Sequence, residues 1–137
     1  MQHPTLIRPE NHATFQSEKM GKTTLFQSER MLVGLNCFEV GQEHALHAHK
    51  GMDKVYHVLE GAGLFLLEDR TIPMQAGEML IAPEGIPHGI RNTETQRLVA
   101  VSYTHLRAHE TREDLLFPGV GEKKNRGGGG GGGGGGG

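Results

Sequence analysis

From Thr23 to Ala100 the chain alternates short apolar stretches with turn signals every eight to twelve residues, and no stretch of this core keeps a helical period. Such spacing marks an all-β sandwich or barrel. Strands are expected at Thr23–Phe26, Met31–Glu39, His44–Ala48, Val55–Leu59, Gly63–Leu67, Thr71–Met74, Met79–Ala82, His88–Arg91 and Arg97–Ala100. Turns are expected at Val40–Gln42, Lys50–Met52, Glu60–Gly61, Glu68–Arg70, Gln75–Glu78 and Pro83–Pro87, each rich in glycine, proline or charge. Ahead of the core, Pro4 and Pro9 argue against a helix, so residues 1–22 read as an arm with one edge strand around Ala13–Gln16. No repeat of 20 to 50 residues is visible.

The chemistry gathers in Gly41–Gly61, GQEHALHAHKGMDKVYHVLEG. His47 and His49 are one residue apart, and residues i and i+2 of a strand project to one face. Two imidazoles held that way can share a transition-metal ion. Gly77–Asn92, GEMLIAPEGIPHGIRN, brings a third imidazole, His88, after a Pro/Gly-rich turn. These two stretches resemble the paired motifs of the cupin superfamily. The first, G-x(5)-H-x-H-x(3,4)-E-x(6)-G, is met by Gly41, His47, His49 and Gly61, but Lys54 stands where the glutamate belongs. The second, G-x(5)-P-x-G-x(2)-H-x(3)-N, is met throughout by Gly77, Pro83, Gly85, His88 and Asn92.

The resemblance spans about residues 23–100 and implies an all-β, double-stranded β-helix (jelly-roll) barrel holding a divalent metal. His47, His49 and His88 are the expected ligands, with Fe, Mn, Ni, Cu or Zn all suited to three imidazoles. Lys54 either turns away from the ion or leaves a three-histidine site. Asp53 is a possible fourth ligand, against which stands strand alternation, since neighbours 53 and 54 face opposite ways. His44 lies an odd number of residues before His47 and is expected to face away, as is His57. Tyr56, if inward, could donate a hydrogen bond to a bound ligand. Catalytic residues are not identified. Three functions suit such a site: a metal-dependent dioxygenase or isomerase for a small oxygenated molecule, a non-catalytic sugar- or metabolite-binding barrel, or a metal-stapled scaffold.

Composition narrows the partners. Net charge is −2, no basic block occurs and Trp is absent, so neither nucleic acid nor an anionic membrane is called for. Cys37 is the only cysteine, which rules out an internal disulfide and suits a reducing, cytoplasmic setting. No signal-peptide pattern or membrane-length apolar run occurs. Gly21-Lys22-Thr23 is not a phosphate loop, because Gln16 stands where that motif needs glycine. A homodimer is expected, since small jelly rolls expose sheet edges that need cover. Past Ala100, VSYTHLRAHET (Val101–Thr111) resembles a translated sequencing-library adapter, and Gly127–Gly137 is an unbroken glycine run. Residues 101–137 are therefore read as a non-native read-through tail, in which His105 and His109 carry no function.

Overall fold

The computed structural model describes residues 3–106; the rest of the tail expectation, including His109 and the glycine run, lies outside the described residues. A short 3-10 turn, Pro9–His12, precedes nine strands: β1 (Gly21–Gln27), β2 (Met31–Phe38), β3 (Glu43–His47), β4 (Met52–Glu60), β5 (Ala62–Leu67), β6 (Thr71–Gln75), β7 (Met79–Ala82), β8 (His88–Arg91) and β9 (Leu98–Leu106). They form two antiparallel sheets, one ordered β1-β2-β9-β4-β7 and the other β3-β8-β5-β6. No α-helix occurs among the described residues, and no helix is long and apolar enough to cross a membrane.

Alternation decides which side chains meet. On β4 the inward set is Lys54, Tyr56 and Val58, while Asp53 and His57 point outward. Phe38, Tyr56, Val58, Phe65, Met74, Ile90 and Leu98 fill the space between the sheets. A second cluster, Leu35, Cys37, Val99 and Val101, lies on the outer face of the larger sheet. Ala13 and Phe15 of the arm pack onto it, and the Arg97 guanidinium lies 4.1 Å over the Phe15 ring. The edge strand expected at Ala13–Gln16 does not form, because that stretch covers a sheet face and joins no ladder. Pro73 sits in β6, an edge strand, where its missing N–H breaks no ladder bond.

The nine core strands stand where the alternation placed them, with shifted ends. The largest shift is in β9, which continues six residues past the expected end at Ala100 and pairs with both β2 and β4. Val101 is buried on its outer face and Thr104 on its inner face. The strand end expected at Ala100 is corrected accordingly: both neighbouring strands offer ladder groups as far as residue 106, and an alternating segment takes them.

The motif ends are structural. Asn92 is fully buried, and its amide nitrogen donates to the carbonyls of Phe38, Glu39 and Gln96. The N–H of Glu94 donates to its side-chain oxygen. Gly61 has φ +85°, and a Cβ there would run into the Arg97 carbonyl, so only glycine fits this turn. The scaffold of the second motif thus closes one end of the barrel and leaves the histidines at the other.

Candidate metal and ligand site

The site is built where β3 meets β8. His47 pairs with His88 and His44 with Ile90, so Ala45 and Leu46 together oppose Gly89. This two-against-one count is a β-bulge. It is possible because residue 89 is glycine: a Cβ there would sit 2.5 Å from the His44 carbonyl oxygen. The extra residue reverses the parity of β3, bringing His44 and His47 to one side. Their rings stack at 4.2 Å between centroids with 26° between planes. The expectation that His44 faces away is therefore overturned, because it assumed a regular strand. His57 does lie on the outward face of β4.

The turn Pro83–Pro87 aims His88 by clamping the turn that carries His49. Gly85 N–H donates to the His49 carbonyl (2.8 Å), Gly51 N–H to Glu84 Oε2 (2.8 Å), and Glu84 N–H to Asp53 Oδ1 (3.0 Å). Asp53 is exposed and its carboxylate caps the turn. The structure does not bring it to the histidines, because alternation along β4 sends it outward.

His47, His49 and His88 come together. Ring centroids are 4.4 Å apart for His47 and His88, 5.0 Å for His47 and His49, and 6.4 Å for His49 and His88. The Nδ1 atoms of His47 and His88 lie 2.8 and 2.9 Å from the carbonyls of Ala45 and Ile86. A carbonyl can only accept, so each Nδ1 carries the proton and each Nε2 of the neutral ring presents its lone pair. Both Nε2 atoms are buried without a hydrogen-bond partner. Burial holds His47 down to about 4 and His44 and His49 to about 3, and lowers His88, so the rings are neutral at pH 7. Among the described residues no three His, Cys, Asp or Glu side chains already stand in a metal-ligating arrangement. Two oriented, orphaned lone pairs and a third neutral ring are nonetheless the donor set that a divalent transition metal takes.

Lys54 does not turn away. It is 4% exposed, points into the barrel and lies with Nζ 5.8 Å from the centre of the Tyr56 ring. Burial, then the charge of Lys22, brings it down to about 7. The Tyr56 ring is 5.5 Å from His88, and its hydroxyl is buried without a partner. Burial alone raises that hydroxyl well above its usual range, keeping it protonated. Lys54, Tyr56, His88 and His47 thus form one contiguous group.

A family model described as a cupin domain matches residues 34–104, just over half of the chain. The chain is a cupin. Its fold is shared with a solved protein of Thermus thermophilus, TT1209, at a TM-score of 0.71 and 35% identity, over 74% of this chain and 97% of that one. An RmlC-like cupin from Desulfovibrio desulfuricans matches at a TM-score of 0.69 and 26% identity, over 75% and 97%. Among curated relatives, the oxalate-binding protein of Thermotoga maritima is 34% identical over 53 residues, 39% of this cupin and 44% of the relative. Acireductone dioxygenase of Rhodopseudomonas palustris is 33% identical over 61 residues, 42% of this cupin and 36% of the enzyme. The matched segment thus spans less than half the length of these curated relatives.

Proposed function

We propose that this cupin binds one divalent transition metal through His47, His49 and His88 and uses the site to hold a small oxygenated molecule inside the barrel. The observation that carries the reading is the pair of Nδ1–H bonds to Ala45 and Ile86, which leave two buried Nε2 lone pairs with no partner. Second-partner bonds of this kind fix the tautomer of metal-binding imidazoles. Occupation requires His49, which sits just past the end of β3, to turn toward the other two rings. The ion, Fe, Mn, Ni, Cu or Zn, would polarise a bound oxygen or, if redox-active, support oxygenase chemistry. The chain's own contribution is to orient two imidazoles, exclude water with Tyr56 and Phe65, and present the Tyr56 hydroxyl to the ligand.

Two versions of this function compete. Turnover is favoured by the resemblance to acireductone dioxygenase and simple binding by the resemblance to an oxalate-binding protein. Oxygen uptake by the iron- or nickel-loaded protein, screened with diketones, phenols and thiols, separates them. Substrate-dependent uptake that disappears in His88→Ala supports a dioxygenase; ligand binding with no uptake supports the binding barrel. We also propose a homodimer, for which the outward faces of Met79 and Ile81 on edge strand β7, 55% and 62% exposed, supply an apolar surface.

A further inference from the structure

The position that departs from the family pattern is the one that the barrel buries most completely among its charged groups. Lys54 is 4% exposed, and its register partners on the two flanking strands, Ala82 and Thr104, are uncharged. Lys22 on β1 adds positive charge, and Lys54 itself depresses all four clustered histidines. Three carboxylates at this end of the barrel have partners of their own: Asp53 caps a turn, Glu84 accepts from Gly51 N–H, and Glu43 is paired with Arg91 at 2.7 Å. Three further buried groups on the same inner surface, the Tyr56 hydroxyl, the Thr104 hydroxyl and the Asn36 side-chain nitrogen, have no hydrogen-bond partner. Each can donate a hydrogen bond.

A buried cation without an anion is costly, and so is a buried donor without an acceptor. A small oxyanion seated beside Lys54 and Tyr56, whose ring centre lies 5.8 Å from Nζ, would meet both the charge and the hydroxyl. We propose that Lys54 is a specificity-determining residue that selects a small carboxylate anion, one oxygen meeting the Lys54 ammonium and another the Tyr56 hydroxyl. The inference deepens the reading of the histidine cluster as a ligand site, since the anion shares the barrel with the metal. It stands on Lys54 and Tyr56 for its own chemistry. With both present, the anion screens the Lys54 charge from the ion, so each tightens the binding of the other by the same factor.

The test uses the full chain, with oxalate as the anionic probe and its neutral diamide, oxamide, as the uncharged control. Calorimetry is run at fixed ionic strength on chelator-treated and on zinc-loaded protein. Wild type is expected to bind oxalate at least tenfold more tightly than oxamide in both states. Lys54→Met and Lys54→Gln are each expected to lose at least tenfold in oxalate affinity, with the β-sheet spectrum and oxamide affinity unchanged. Two neutral replacements are used so that one poorly folded variant does not decide the result. Wild-type oxalate affinity in both variants, or oxamide bound as tightly as oxalate, would overturn the proposal. Zinc content measured on every sample separates the two claims. Zinc retained with oxalate binding indifferent to Lys54 sinks this inference and leaves the metal reading standing; no zinc, with oxalate binding that still needs Lys54, does the reverse.

Discussion

Lys54 shows how a single residue sets the electrostatics of the barrel. Strand alternation alone places it inward with Tyr56 and Val58, and the departure from the family glutamate was visible in the sequence. What the sequence could not reveal was whether four methylenes would carry the charge out to water; the surrounding strands leave the side chain buried instead. Folding therefore disfavours its protonated form. The unfolded chain keeps this proton up to about 10.5, whereas the folded metal-free chain releases it at about 7. Between those values the unfolded state binds more protons, so this residue makes stability rise with pH; below about 7 the whole penalty is present. Lys54→Met should therefore raise the melting temperature of the metal-free protein most at pH 7 and below. The gain should shrink toward pH 10, as read by calorimetric scans of both proteins across that range. A variant that melts at or below wild type at pH 6 would mean that an internal partner neutralises Lys54.

At the level of elements, the decisive feature is the bulge between His44 and His47. The His-x-His spacing and the position of His88 were legible because i, i+2 geometry and the turn at Pro83–Pro87 are local. The side that His44 faces is not legible locally, because a bulge belongs to a pair of strands and its requirement is written forty-five positions later in Gly89. The arm departs from expectation for a related reason: Ala13 and Phe15 are apolar enough for a strand, yet the outer sheet face offers them burial without a ladder. Gly89→Ala tests the bulge. Its Cβ would meet backbone at 2.5 Å, so strands β3 and β8 must part or shift. A cost of about 2 kcal/mol or more is expected, a fall of roughly 10 °C in Tm for a domain this size, together with loss of metal binding. Wild-type stability and metal content in that variant would show that the bulge does not depend on glycine.

For the whole molecule, two outcomes follow from how the larger sheet ends. Its β7 edge exposes Met79 and Ile81, which the proposed homodimer would bury; sedimentation should give twice the chain mass, and Ile81→Lys should shift the protein toward monomer. Monomer alone in wild type would remove the proposed interface. The other outcome concerns β9, whose place between β2 and β4 calls for an alternating strand rather than for these residues. Resequencing of the gene across codon 101 is expected to return a different continuation with the same alternation, and recovery of the present codons would refute the read-through origin. His47, His49, His88 and Lys54 all precede that point, while Ser102 and Thr104 beyond it pair with Tyr56 and Lys54. The most direct measurement is elemental analysis of the full chain purified without a His-tag, beside His47→Ala and His88→Ala. About one equivalent of a first-row divalent metal per chain is predicted for wild type, and less than a tenth of that for either variant. No metal in wild type even after reconstitution, or full metal content in both variants, would contradict the assignment of the three histidines.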